Sequence, residues 1–344
     1  MEIKRAKRWL KWVLAAVGVV ILGFYPLPYY IEQPGSLFAL DEMVEIKGIE
    51  SNPNFTMTTI EIVQASAFTA VGSFLSPFED LLSENELFDG AEDFDSYDFI
   101  QFLYIQNAAD TATRVAYEAA GAKYDINYNG SYIFEVAEES DFYQTLKPGD
   151  LVTAINDHTI ENSEAFTTFI QQLDEKTPLE ITYTRNDKTF VAKGKLTEMD
   201  GNFLVGVSLI DAVDLQTDPK IAIDFGDVGG PSGGLMYTLY IYNLLTGKNL
   251  DHGYKIAGTG TISLDGTVGA IGGAGKKVVA ASEAGSDIFF VPRDEISKEV
   301  QEKYPDLISN YDEAKAAAEK IKTSMKIVPV DTFEEAVAYL ENLK

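Results

Sequence analysis

The alternation of apolar and polar positions divides the 344-residue chain into stretches with different periods. Trp12 to Ile31, WVLAAVGVVILGFYPLPYYI, is twenty residues without a charge. At about 1.5 Å per residue that run is long enough to cross a hydrocarbon core of about 30 Å as one transmembrane helix. Phe55 to Leu75 alternates at first and then takes up helical spacing, which predicts a strand entering a helix. The acidic, aromatic stretch from Phe78 to Phe99 reads as a solvated loop or short helices around Gly90. Between about Ala116 and Leu196 short strands dominate, YIFEV, DLVTAIN, LEITYTR and TFVAKGKL. They are interrupted by one helical piece, NSEAFTTFIQQL, whose Phe166, Phe169, Ile170 and Leu173 share a face. After Met199, IAIDF predicts a strand running into the turn DVGGPSGG, and Leu235 to Leu245 a helix capped by Gly247. TISL and TVGAI flank Asp265-Gly266 as a hairpin; DIFFVP and KIVPV read as strands, and DTFEEAVAYLENL as a helix.

Charge sharpens the reading of the N-terminus. Lys4, Arg5, Lys7, Arg8 and Lys11 precede the uncharged run, Trp9 and Trp12 mark one border, and Tyr25, Tyr29 and Tyr30 the other. Basic residues favour the cytoplasmic side, so residues 1–31 read as a cytoplasmic tail and single-pass anchor in the cell membrane, with everything after Glu32 extracellular. Pro26, Leu27, Pro28 and paired tyrosines stand where a signal peptide would have a small-residue cleavage site. Beyond the first eleven residues the chain holds 22 basic and 53 acidic residues, net −31. Such a body repels nucleic acid and attracts cationic peptides. Cysteine is absent, which excludes disulfides, thiolate catalysis and cysteine metal sites. The acidic stretch has no metal-ligand spacing, so no metal is expected.

The chemistry then has to come from oxygen and nitrogen. Ser232 sits between glycines at the start of a predicted helix, where unpaired backbone N–H groups of the loop holding Gly230 and Gly233 can stabilise an oxyanion. A serine needs a base. His158 and His252 read as exposed loop residues, and the other base is a lysine whose burial disfavours its charge. Lys276 and Lys277, followed by Val278, Val279 and Ala280, are the candidates, and periodicity does not choose between them. Gly230 to Gly234 also fits G-x-S-x-G, but that hydrolase fold needs a histidine well downstream, and none follows His252. AIGGAGKK fails as a nucleotide loop, with Ala270 at the first glycine slot and Lys277 where Ser or Thr belongs, so no cofactor is expected.

Two resemblances cover nearly the whole chain. LKPGDLVTAINDHTI, Leu146 to Ile160, resembles the signature of bacterial protease-associated PDZ domains, with His158 in place of a glycine. It implies a partly open β-barrel over 116–198 that adds a peptide as a strand, with the capture loop at Asn129 to Phe134, including Gly130, Ser131, Tyr132 and Ile133. GGPSGG followed by GTGTISLDGTVGAIGGAGKK is similar to the proteolytic domain of Lon-type serine peptidases, which use a serine–lysine dyad. Counting from Gly273, the resemblance makes Lys277 the base, Ser232 the nucleophile and Thr259 the lysine's hydrogen-bond partner, and it leaves Lys276 facing solvent. Gly233 departs from the usual alanine and Gly229 from the aspartate of many ATP-dependent members.

The order of anchor, PDZ and Lon-like segment resembles membrane-anchored peptidases of Gram-positive bacteria. It implies an α+β fold in which 32–115 contributes to a peptidase domain completed by 199–344. The expected function is ATP-independent serine endopeptidase activity on flexible exported peptides or unfolded segments, maturing or degrading signalling peptides. A homo-oligomer is compatible with it. The other class of function is a non-catalytic membrane-anchored PDZ scaffold.

Overall fold

The computed structural model describes residues 2–88, 94–199, 201–305 and 307–343. In chain order, its main elements begin with helix α1 (Glu2–Phe24), strands β1 (Pro26–Ala39) and β2 (Phe55–Ser66), helix α2 (Ala67–Ser73) and strand β3 (Asp80–Ser83). Helix α3 (Phe94–Ala120) leads to β4 (Lys123–Val136), β5 (Leu151–Ile155), α4 (Ser163–Gln171), β6 (Leu179–Arg185), β7 (Lys188–Gly194) and β8 (Val207–Asp218). The chain closes with α5 (Gly234–Thr246), β9 (Ile256–Gly258), α6 (Ala274–Glu283), β10 (Ile288–Pro292), α7 (Asn310–Ile321), β11 (Lys326–Val330) and α8 (Phe333–Glu341). Of the stretch expected as a solvated loop or short helices around Gly90, residues 89–93 lie outside the described residues; on either side of them are a short helix, Glu84–Phe88, and the start of α3.

One sheet has the order β11-β10-β9-β2-β1-β3, so strands from the first 83 residues and from the last 90 share it. Its C-terminal strands are parallel, as crossover helices require, whereas β1 pairs antiparallel with both β2 and β3. Ile256, Ile288, Phe290 and Val328 point to one face, against α5 and α8. Ala257, Phe289 and Val291 point to the other, against α6 and α7. Helix α5 is mostly apolar, and Leu235 to Leu244 are all buried, because the sheet, α3 and α8 enclose it.

A second sheet, β8-β4-β5-β6-β7, closes over α4 and lies in sequence between the two parts of the first. Asn162 caps α4 through the Ala165 N–H at 2.8 Å, and Phe166 and Ile170 enter the core with Ile133, Val152 and Ile181. Strand β8 was expected in the peptidase segment. It pairs with β4 along its whole length and is therefore an edge of this sheet.

The N-terminal expectation requires correction. Among the described residues no helix is long and apolar enough to cross a membrane. Helix α1 ends at Phe24, and Pro26 to Ile31 belong to β1, where Ile31 is buried in the sheet's own core. The prolines at 26 and 28 lack the N–H that a continuing helix would use. The uncharged part of α1, Trp12 to Phe24, covers about 20 Å, against about 30 Å of hydrocarbon.

Candidate active site

Gly230, Pro231 and the short helical turn Pro231–Gly233 carry the chain from a loop into α5. Helix α3 crosses this loop closely: a Cβ on Gly229 would lie 2.6 Å from Cβ of Gln101, so only glycine permits the approach. Gly230 donates its N–H to the Gln101 carbonyl at 2.8 Å. That hydrogen bond engages the group expected to face an oxyanion. The N–H groups of Ser232 and Gly233 sit in the first turn, where helical geometry supplies no partner upstream.

The Ser232 carbonyl accepts from the Gly260 N–H at 2.8 Å and from the Thr259 hydroxyl at 3.1 Å. Because Thr259 donates its one proton there, its oxygen is left to accept from Lys277 Nζ, 3.2 Å away. Lys277 Nζ also lies 2.7 Å from Ser232 Oγ. Three residues that stand 27 and 18 positions apart in sequence, Ser232, Thr259 and Lys277, thus form one hydrogen-bonded chain. Thr259 is fully buried and Lys277 is 2% exposed. Burial pulls the Lys277 amine from its ordinary 10.5 down to about 8, and the more distant charges of Glu32 and Glu313 offset part of that effect.

The Ser232 hydroxyl opens into a cavity of about 320 Å³. Met57 to Ile60 of β2 form one wall, Tyr97, Asp98 and Gln101 of α3 another, and Asp227 to Gly233 the floor. Neither histidine lines it; His158 instead stacks on Phe169 with ring centroids 4.7 Å apart.

Lys276 departs from expectation. It is 7% exposed, and its Nζ donates to Glu32 at 2.8 Å and to Asp80 at 2.5 Å. Burial alone would lower its amine, but hydrogen bonds to Asp80 and Glu32 outweigh this and hold it above the ordinary range. Its partners come from β1 and β3, more than 190 residues upstream, and no spacing in the sequence announces them. The same is true of the α3 residues that line the cavity.

The expected peptide-capture residues also need correction. Gly130, Ser131, Tyr132 and Ile133 lie in β4, which is an interior strand. Ser131 and Tyr132 pair with Asp211 and Ile210 on one side and with Val152 and Leu151 on the other. The N–H groups of Gly130 and Ile133 donate to the Glu161 and Asp150 carbonyls at 2.9 and 2.8 Å. A peptide has no edge to join there; the open edge on this side of the sheet belongs to β8.

Comparison with known proteins agrees with this layout. Residues 221–340 match the Lon protease (S16) C-terminal proteolytic domain, and residues 118–196 match the PDZ domain family. Among curated proteins, the Lon protease of Malacoplasma penetrans is 28% identical over 174 residues, which cover 46% of this chain and 20% of that protein. The Lon protease of Metamycoplasma arthritidis is 35% identical over 115 residues, 33% of this chain and 12% of that protein. The chain thus spans a fifth or less of these relatives' length. Among solved structures, the PDZ domain of an SdrC-like protein from Listeria monocytogenes is 28% identical, covering 25% of this chain and 93% of that one, with a TM-score of 0.24. The corresponding domain from Listeria innocua is 27% identical, covering 24% and 92%, with a TM-score of 0.22. The chain is a mixed α+β protein that carries a PDZ-like domain and a Lon-type proteolytic domain.

Proposed function

We propose that this protein is a serine endopeptidase that cleaves flexible peptides or unfolded segments with Ser232 as nucleophile and Lys277 as base. The observation that carries the reading is the 2.7 Å contact between Ser232 Oγ and a buried lysine amine whose pKa is about 8. A neutral Lys277 takes the Ser232 proton as Oγ bonds to the substrate's carbonyl carbon and the carbonyl π electrons move onto oxygen. The backbone N–H groups of Ser232 and Gly233, in the first turn, hold that oxyanion. When it collapses, the C–N bond breaks and the leaving amine takes the proton back from Lys277. Water then attacks the ester, giving its proton to Lys277, which returns it to Ser232 as the acid product leaves. Thr259 keeps the amine aimed at Oγ.

None of these steps draws on ATP, so the reading is of an ATP-independent enzyme limited to substrates that enter the cavity unfolded. Asp98 and Asp227 line that cavity and are exposed, which supports a preference for cationic side chains. Recruitment through the PDZ-like domain would use the edge of β8, beside α4, where the Ser163 N–H already donates to Asp211 at 2.7 Å. We extend the proposal to location, at a cell membrane and outside the cytoplasm, because basic residues followed by the short apolar part of α1 have the order of an export signal, which directs a chain across a membrane without having to span it. Protease shaving of intact cells that left the chain whole would refute the location.

The test of the activity is cleavage of an unstructured cationic peptide. Ser232→Ala should lose at least a thousandfold in kcat/KM, and a fluorophosphonate should label Ser232 in the wild type. Undiminished cleavage by the variant would end this reading.

A further inference from the structure

Helix α2 shows its apolar side chains the wrong way round for a soluble surface. Phe68, Val71, Phe74 and Leu75 are 47%, 69%, 78% and 87% exposed, whereas Ala70 and Ser73 face inward. Phe68 and Val71 lie one turn apart on the helix, and Phe74 and Leu75 continue the exposed apolar side in the turn that follows Ser73. The segment from Ile62 to Phe78 contains no charged residue, in a chain that is 24% charged. The helix is firmly seated. Ser66 and Thr69 form a reciprocal capping box, with N–H to Oγ distances of 3.3 and 2.8 Å, and Ala70 packs on Ile31 and Ala65.

This exposed side adjoins the end of α1. The Phe24 and Phe68 rings meet edge to face at 5.4 Å, and Phe68 lies over Gly23, where any Cβ would collide with its ring. Val19, Val20, Ile21 and Leu22 on α1 are 51% to 71% exposed. Consecutive helical residues point about 100° apart, so the exposure runs around α1. A protein partner covering one face would leave the others in water; hydrocarbon covers all of them. Trp12 at one end of the apolar part and Tyr25 at the other, 68% and 64% exposed, are the residue types that settle at a lipid–water boundary. The five basic residues before Trp12 complement anionic headgroups.

We propose that α2 and the turn after it, with the end of α1, form an apolar wedge that enters the surface of an anionic lipid bilayer. Contact of this kind needs no membrane-spanning helix, because covering the end of α1 on all its faces takes about the 10 Å diameter of one helix, against about 30 Å of hydrocarbon. Its consequence for chemistry comes from β2, whose residues Met57 to Ile60 and Ile62 line the Ser232 cavity before the strand ends at the α2 cap. At about 3.3 Å per residue, the five steps from Ile62 to Ala67 span no more than about 17 Å. The cavity is thereby held close to the lipid, where it would meet flexible segments tethered to a membrane. This last point rests on the peptidase reading; the wedge itself does not.

The test uses the full chain and phosphatidylcholine vesicles containing phosphatidylglycerol. A double variant, Phe74→Asp with Leu75→Asp, changes two exposed side chains outside the cavity and should fold normally by circular dichroism. It is expected to partition into vesicles at least tenfold more weakly than the wild type, while cleaving a free peptide at the same rate. A lipid-tethered copy of that peptide should be cut faster than the free one by the wild type only. Equal vesicle binding by the two proteins overturns the wedge. So does a wild type that ignores vesicles but forms a dimer, measured by light scattering, that the variant has lost. Vesicle binding that weakens as expected, with no cleavage of any peptide by the wild type, keeps the wedge and removes the peptidase reading.

Discussion

Lys276 and Lys277 are neighbours on α6, both nearly excluded from water, yet the protein treats them in opposite ways. One helical step of about 100° is enough to send their side chains to different surroundings. Lys276 meets the carboxylates of Glu32 and Asp80 and stays an ammonium. Lys277 meets two hydroxyls, and its charge is penalised until the pKa falls to about 8. Burial alone therefore does not make a base; burial without a carboxylate does. The first lysine also serves the second. Glu32 is a charge that raises the Lys277 pKa, and Lys276 sits directly on it.

Removing the lysines one at a time should break the comparison most visibly. Lys277→Met deletes the base and should lower kcat by about a hundred- to ten-thousandfold, the usual contribution of a positioned base. Lys276→Met leaves base and nucleophile in place and should cost far less at pH 9. Steady-state rates on one flexible peptide measure both. Equal losses at pH 9 would mean that Lys276 holds the α6 geometry as a whole.

The pH profile sharpens the same contrast by a smaller margin. Lys277 must be neutral to act, so kcat/KM should rise with pH through about 8 and then level off. The charged groups that bear on it are Glu32, Glu313 and, through Glu32, Lys276 with Asp80. Lys276→Met frees Glu32 to favour the ammonium, so the midpoint should move up and the rate at pH 7 should fall severalfold. Glu32→Gln should move the midpoint down. Midpoints that stay together in all three proteins would show that the ion pair has no influence on the base.

Much of this is legible in the sequence. The periods of 2 and 3.6 mark β2 entering α2, the strands and helix of the PDZ-like domain, and α5 between its glycines, because each buries its own apolar face close to where it begins. Ser232 stands out from its own glycine-rich turn at a helix start, whereas Lys277 over Lys276 and the role of Thr259 follow only from the resemblance to Lon-type peptidases, because both lysines adjoin the same apolar residues. What escaped were relations across long separations. Glu32 and Asp80 reach Lys276 only through sheet pairing, Gln101 reaches the serine loop through helix packing, and β8 joins the PDZ-like sheet as the chain returns. The apolar run at Trp12 misled for a related reason: its last six residues are apolar because β1 buries part of them in the sheet.

The smallest effect concerns stability, and its sign separates the two lysines once more. Below pH 8 the Lys277 amine is protonated in both the folded and the unfolded chain, and the folded state bears the full cost of burying the charge. Between about 8 and 10.5 the unfolded chain still holds the proton while the folded one has released it, so stability rises with pH across that window. A displacement from 10.5 to about 8 corresponds to roughly 3 kcal/mol. Lys277→Met removes that cost and should raise Tm by a few degrees at pH 6, with the gain shrinking towards pH 10. Lys276→Met should lower Tm instead, because it leaves Glu32 and Asp80 facing each other without their cation. Thermal denaturation of the two variants and the wild type at pH 6 and pH 9.5 reads this directly. A Lys277→Met protein less stable than the wild type at pH 6 would mean that the amine's hydrogen bonds to Ser232 and Thr259 outweigh its desolvation, and that the site was not held at a cost in stability.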